Sequence, residues 1–451
     1  MKLSFLGATE TVTGSKYLIE NNDKKILIDC GLFQGHKTLR LRNWAKLPFD
    51  PATLDAVILT HAHIDHSGYI PLLVKHGFKG KIYCSSATYD LCKILLPDSG
   101  YLQEEDARRA NKYGYSRHDV AKALYTQADA MAALTNFHPV KFHKAFKIGD
   151  DLEITLSRAG HILGAAFIHI DNGQKTIVFS GDIGRPNDPV MVLPEHIEAA
   201  DYLVVESTYG DRLHDKADPV DMIGDVITST AAKGGMVVIP AFAVGRSQNL
   251  LYYIHDLKRK GKIPNIPIYL DSPMAINVTN LLCRHGDDHK LSNQEWADVC
   301  DIATYTKSVE ESKNIGRQAM PSIIISASGM ATGGRILHHL KNYIGDSRHT
   351  ILFTGFQAGG TRGDRILKGE KDIKIHGQMW PVRARIEYMG NTSAHADYQE
   401  ILDWLSYVKT PPLKVFVIHG ESEASTALRD KIEETYGWDV CVPKYLQQVE
   451  L

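Results

Sequence analysis

The residues Thr60-His61-Ala62-His63-Ile64-Asp65-His66-Ser67 place three imidazoles and a carboxylate within six positions, directly after the apolar run Ala56-Val57-Ile58-Leu59. On an extended backbone His61 and His63, at i and i+2, project to one side. Asp65 and His66 are adjacent, so they point elsewhere and are placed to serve a second ion nearby. Imidazole and carboxylate without thiolate is the donor set of catalytic zinc rather than of a closed structural site. The bland alternative is a polar loop rich in His. With 21 His in 451 residues, one isolated pair would mean little, but H-x-H-x-D-H at a strand end is far more specific.

The same residue types recur at one kind of place. Ile26-Leu27-Ile28 runs into Asp29, Ile177-Val178-Phe179-Ser180-Gly181 into Asp182, Tyr202-Leu203-Val204-Val205 into Glu206, and Val415-Phe416-Val417-Ile418 into His419. Strand ends along one sheet edge are where ligands converge in α/β proteins, and a rigid strand holds them in place. Each is weak alone, because an Asp after a strand is ordinarily a cap or turn residue. Their joint occurrence is the signal.

These positions imply the elements that carry them. The N-terminal part is strand-rich, with strands expected at 2–6, 17–20, 25–28, 56–60 and 81–84. A helix is expected over 67–77, closed by a C-terminal Gly. Polar helices are expected at 102–110 and 117–133, and strands at 152–159, 166–170 and 176–180 around Gly160-His161-Ile162-Leu163-Gly164. From about residue 210 the pattern becomes strand–helix–strand (237–240, 245–260, 266–270; then 322–326, 335–343, 350–354), which argues for a parallel sheet in a separate α/β unit. A helix (397–408), a strand (414–418) and a last helix (422–436) follow.

Length suggests two or three domains. The 43% hydrophobic and 23% charged content is that of a globular chain. The first residues run straight into a strand rather than a signal peptide, and no apolar run reaches membrane-span length. Six Cys without C-x-x-C spacing are expected to be reduced, mostly buried thiols of a cytoplasmic protein. The net charge of −2 does not favour a nucleic-acid binder and does not exclude one, because bound divalent cations add charge that residue counting omits.

Together these motifs resemble the metallo-β-lactamase superfamily and, within it, the β-CASP nucleases. Asp29 matches the first superfamily motif, His61-x-His63-x-Asp65-His66 the second, His161 the third and Asp182 the fourth. Glu206 in E-S-T-Y-G, His395 in S-A-H-A-D and His419 in I-H-G-E match the three β-CASP motifs. The resemblance spans nearly the whole chain, including Q-E-E-D-A at 103–107, P-A-F-A-V-G-R at 240–246 and S-G-M at 328–330. It implies an αββα sandwich, in two parts at 1–209 and 391–451, with an inserted β-CASP α/β domain at 210–390 and an active site in the cleft between them. In this family His at the third β-CASP motif goes with RNA-processing members such as RNase J, and Val with members acting on DNA; His419 therefore favours RNA. With no KH-type segment ahead of residue 1 and no long C-terminal domain, a compact bacterial-type RNase is expected.

Motif carry-over gives His61, His63 and His161 to one ion and Asp65, His66 and His419 to a second, with Asp182 bridging. Two zinc ions are expected, manganese or iron remaining open by ligand type. Ions about 3.5–4 Å apart can share a hydroxide and clamp both oxygens of an in-line displacement, leaving 5′-phosphate and 3′-hydroxyl ends. Asp29 is expected to orient a ligand rather than to be one. His395 is the candidate general acid, held protonated and oriented by Glu206. Its alternative is a polar residue introducing the helix that begins near Asp397. Arg246, at a helix start, and Ser328-Gly329-Met330, in a Gly-rich turn, are candidate contacts to RNA, expected to be single-stranded; plain helix capping competes closely for both. Three other readings stay open: a glyoxalase-type hydrolase, which needs neither the insertion nor the Glu206/His395 pair; a DNA nuclease of the same family; and a non-catalytic RNA-binding scaffold, which would be expected to lose ligands. No membrane partner is expected, and the oligomeric state stays open, a homodimer included.

Overall fold

A computed structural model describes residues 1–114, 119–317 and 321–451. The chain forms two compact units. One comprises Met1–Asn187, Leu193–Leu213 and His395–Leu451; the other comprises Asp188–Val192 and His214–Ala394.

The first unit is built on two sheets, each seven-stranded among the described residues. The first runs Gln448–Glu450, Lys2–Phe5, Tyr17–Asn21, Lys24–Ile28, Ala56–Ile58, Lys81–Ser85, Phe137–Val140. The second runs Val440–Cys441, Lys414–Ile418, Tyr202–Glu206, Thr176–Phe179, Ala166–Asp171, Leu152–Arg158, Phe146–Ile148. Alternation along the strands explains their packing. Ile26 and Ile28 of one sheet and Ile177, Phe179, Val204 and Phe416 of the other share one core, whereas Leu27 is buried outside that cluster. Phe5–Phe416 (ring centroids 5.2 Å apart) and Tyr17–Phe179 (5.8 Å) bridge the sheets. This is the αββα sandwich that the resemblance implies.

The second unit holds a sheet, six-stranded and all parallel among the described residues, ordered Thr304–Tyr305, Ile268–Leu270, Ile323–Ser326, Val237–Pro240, Thr350–Thr354, Arg385–Met389. Its runs of Ile and Val are buried on both faces, as a parallel sheet covered by helices requires.

Several expected elements differ. The helix expected at 67–77 is two, Ile64–Ser67 and Ile70–Lys75, because the chain turns at Gly68-Tyr69. The stretch 102–110 is only the end of a 28-residue helix, Ser86–Tyr113, that runs through Pro97. Of the helix expected at 117–133, only Gln127–Ala133 is helical, restarted by a capping box of Thr126 and Asp129; residues 117 and 118 lie outside the described residues. The strand expected from 266 begins at Ile268, after Pro267, which has no N–H to give a ladder. Of the six thiols, all unpaired, Cys30, Cys84 and Cys92 are buried, Cys283 is exposed, and Cys300 and Cys441 are half-buried, so the set is less buried than expected. Among the described residues no helix is long and apolar enough to cross a membrane.

Candidate metal centre and acid pair

In the first unit the motif residues leave the ends of adjacent parallel strands. Ile28 pairs with Ile58, Phe179 with Val204, and Glu206 with Ile418, so Asp29, Thr60-His61, Asp182, Glu206 and His419 emerge along two sheet edges. Asp29 and His419 turn off their strands with positive φ, 55° and 50°. His63 stands at the N-cap of Ile64–Ser67, and that one turn of helix carries Asp65 and His66.

Two clusters result. His61 Nε2 lies 3.1 Å and His161 Nε2 3.3 Å from His63 Nδ1. His66 Nε2 lies 3.1 Å from His419 Nε2, which is 3.6 Å from Asp65 Oδ2. Asp182 stands between them. Its Oδ2 is 3.3 Å from His61 Nε2 and 3.4 Å from His161 Nε2, while its Oδ1 is 3.3 Å from His66 Nε2 and 3.4 Å from His419 Nδ1. The structure thus gathers every residue expected as a metal ligand, in the two groups expected.

The donor set fits divalent cations. Burial, reinforced by the charge of His66, pushes His61 down to about 3, and burial takes His63 to about 4 and His161 well below the ordinary value. With these imidazoles neutral, a ring nitrogen of each and an oxygen of Asp182 lie within 4.8 Å of one another, close enough to share one cation. The buried Asp182 Oδ1 accepts no hydrogen bond among the described residues, which in a closed interior would be costly without a cation. Burial opposes ionisation of Asp182, but His419 and His66 outweigh it and hold the carboxyl well below its usual range.

The outer nitrogens are held. Thr60 Oγ1 is 3.0 Å from His61 Nδ1, Asp29 Oδ2 is 2.7 Å from His66 Nδ1, and Thr208 Oγ1 is 3.1 Å from His419 Nδ1. Asp29 also accepts from Thr60 N–H at 2.8 Å, so its oxygens face Thr60 and the outer nitrogen of His66 rather than the cluster. Despite burial, Asp182 and Asp29 raise His66 well above its ordinary value.

His395 faces a different partner. Its Nδ1 lies 3.1 and 3.2 Å from the oxygens of Glu206, which is fully buried and also accepts from Ile183 N–H at 2.7 Å. The backbone beside it is pinned by Ala396 N–H donating to Ile183 O at 2.9 Å. Helix Tyr398–Leu405 is capped by Asp397, so capping is not the task of the His395 side chain. Burial opposes protonation of His395, yet Glu206 and then Asp182 raise it to about 9.

The metallo-beta-lactamase superfamily matches residues 11–223, the Beta-Casp domain 247–366, and the Zn-dependent metallo-hydrolase RNA specificity domain 379–443. A ribonuclease of Thermus thermophilus is 34% identical over 99% of this chain and 99% of its own. The chain belongs to the β-CASP family of the metallo-β-lactamase superfamily. An RNase J-like protein of Methanocaldococcus jannaschii is 30% identical, covering 98% of this chain and 97% of its own. A transcription termination factor, FttA, of Methanosarcina mazei is 32% identical, covering 96% and 69%. A crystal structure from Enterococcus faecalis, of a protein of unknown function, shares the fold at TM-score 0.57 and 13% identity over 100% of this chain and 99% of that one.

For this β-CASP protein, the remaining expected contacts belong to the second unit. Arg246 is buried at the first turn of Arg246–Arg259, and its N–H and that of Ser247 donate to Val244 O and Phe242 O, so these two backbone donors are already engaged. Ser328 Oγ accepts from Thr332 N–H at 3.0 Å, Gly329 packs where a Cβ would meet Phe242 at 2.7 Å, and Met330 O accepts from Gly363 N–H. Sequence reasoning assigned no role to Thr60, Thr208 or Ser15, whose hydroxyl is 3.3 Å from His66 Nε2. Thr60 stands in T-H-A-H-I-D-H-S and Thr208 in E-S-T-Y-G, but a hydroxyl has no spacing signature.

Proposed function

We propose that this β-CASP protein is a zinc-dependent ribonuclease that hydrolyses phosphodiester bonds of single-stranded RNA and leaves 5′-phosphate and 3′-hydroxyl ends. The observation that carries it is the Glu206–His395 pair beside the histidine–aspartate cluster, a proton donor next to a cation site. A glyoxalase-type hydrolase has no use for that pair. The relatives named ribonuclease and RNase J-like point the same chemistry toward RNA.

In this reading His61, His63, His161 and Asp182 hold one ion, and Asp65, His66, His419 and Asp182 the other. When bound, the ions supply Lewis acidity and an activated water at neutral pH. The protein supplies the rest. Asp29, Thr60 and Thr208 fix which ring nitrogen faces inward. Glu206 keeps His395 protonated and holds Nδ1, so the proton for the leaving 3′-oxygen comes from Nε2. Residues 210–390 form the β-CASP insertion in a catalytic domain made of 1–209 and 391–451, and contribute Arg246 and the loop at Ser328, Gly329 and Met330 to RNA. We place the activity in the cytoplasm, consistent with six unpaired thiols.

The test is zinc-loaded protein incubated with end-labelled single-stranded RNA and matched DNA, followed by end-group mapping. We expect RNA cut to 5′-phosphate and 3′-hydroxyl ends, and DNA cut more slowly. A 2′,3′-cyclic phosphate would overturn the mechanism, and equal DNA cleavage the substrate.

A further inference from the structure

The six-residue helix Lys37–Arg42 buries none of its residues. So short a helix is not stable alone. Two contacts at its C-terminal end hold it. Asn43 clamps Phe33, its Oδ1 accepting from Phe33 N–H at 2.9 Å and its Nδ2 donating to Phe33 O at 2.7 Å. The Arg42 guanidinium lies 4.1 Å from the Tyr445 ring centroid and 5.4 Å from that of Phe33.

What the helix presents outward is unusual. Lys37, Arg40 and Leu41 share a face at i, i+3 and i+4. Turn bonds Trp44 N–H to Leu41 O and Ala45 N–H to Arg42 O continue the coil, so Trp44 follows on that line. Leu41 is 55% and Trp44 58% exposed. Lys37 and Arg40 are exposed and make no ion pair among the described residues. No acidic residue stands between Asp29 and Asp50.

The stripe is tied to the metal centre. The segment leading to it bonds the H-x-H-x-D-H turn, Cys30 N–H donating to His66 O (2.7 Å) and Leu32 N–H to Ile64 O (2.9 Å). His36, just ahead of the helix, is within electrostatic range of Glu421, two residues past His419.

We propose that Lys37, Arg40, Leu41 and Trp44 form a platform for the single-stranded flank of the RNA as it leaves the site past His419, an inference that rests on the ribonuclease reading above. Cations without carboxylate partners complement a phosphate chain, and an exposed indole accepts any base by stacking. Phosphates sit on Lys37 and Arg40, and a base on Trp44 with Leu41 beside it.

The test uses the zinc-loaded full chain and phosphorothioate single strands, which keep the backbone charge and resist hydrolysis, of about 20 and about 4 nucleotides, spanning the usual site sizes. Lys37→Ala/Arg40→Ala should weaken binding of the long strand and lower its log–log salt slope by about 1.4, about 0.7 for each phosphate contact. Trp44→Ala should weaken it about tenfold and leave the slope alone, as one lost stacking contact does. The short strand, confined to the site, should bind variants and parent alike. Variants that bind the long strand with the parent's affinity and slope overturn the platform. So does loss of binding to phosphatidylserine vesicles with RNA binding intact, which makes the stripe a membrane surface. A parent that binds the strand but cuts no RNA sinks the ribonuclease reading instead, and leaves the platform to be judged on the binding data.

Discussion

Asp182 divides its two oxygens between two sets of imidazoles, and His395 turns its ring to Glu206. Substituting each should have a separable effect. His395→Ala should slow RNA cleavage by about 10²–10⁴-fold, the usual worth of a general acid, while zinc measured by elemental analysis stays at the parent level. His63→Ala should lose zinc as well as activity. If His395→Ala cleaves like the parent at neutral pH, His395 is not the acid. The pH profile probes Glu206. A His raised to about 9 is protonated below that value and loses its proton above it, so its loss forms the alkaline limb of the rate profile. Bound cations nearby pull the limb lower. Glu206→Gln removes the carboxylate, burial then dominates, and the limb should move to lower pH; a limb that stays put excludes Glu206 from this role.

The segment after Lys24–Ile28 and the turn His63–Tyr69 are laced together by backbone bonds: Cys30 N–H to His66 O, Leu32 N–H to Ile64 O, Tyr69 N–H to Cys30 O. Beneath them Lys16, pushed down to about 8 by burial, sits 4.6 Å from the Tyr69 ring centroid and donates to Gly31 O. Gly31 is required by proximity, because a Cβ there would lie 1.5 Å from Asp65 O. Backbone cannot yield as a flexible side chain can. Gly31→Ala should therefore displace the turn that carries Asp65 and His66, cost about 1–3 kcal/mol or more, and reduce the two zinc ions proposed above to about one per chain. Calorimetry with elemental analysis checks this; two ions at the parent's Tm would show that the two segments are not coupled.

Stability of the catalytic unit should depend on metal and pH together. His61, His63 and His161 are held neutral in the fold, but an unfolded chain protonates them below about pH 6.5. Metal-free protein should therefore lose stability as pH falls from about 6.5 toward the folded values of about 4 and about 3. His66 and His395 have raised values, so their contributions are fully present below about 6.5 and are lost only as pH rises. Asp182 and Asp65 are held low and lose theirs only below about 4. Zinc that binds the folded state alone adds about 4 kcal/mol at a thousandfold excess over its Kd. Chelation should lower Tm at pH 7, and the chelated protein's Tm should fall further between pH 6.5 and 4.5. A Tm indifferent to chelator, or a flat acid profile, contradicts a cluster of neutral ligand histidines.

What could be read along the chain was local. The H-x-H-x-D-H turn and the acidic or His residue after each apolar strand were visible because strand period and ligand type are written in consecutive residues. So was the parallel sheet, through the alternation of strands and helices from residue 237 to residue 354. Other features exist only through contacts far apart in sequence. Gln448–Glu450 is a strand because Lys2–Ser4 offers it a ladder. Ser86–Tyr113 runs on through Pro97 and Gly100, and Gly100 is where Thr126 and Gln127 pack, too close for a Cβ. The two oxygens of Asp182 and the choice of ring nitrogen on His66 and His419 depend on Asp29 and Thr208 arriving from other strands. Residue types name the donors; only three-dimensional proximity decides which lone pair faces inward, because a hydrogen bond is made by distance and angle, not by spacing along the chain.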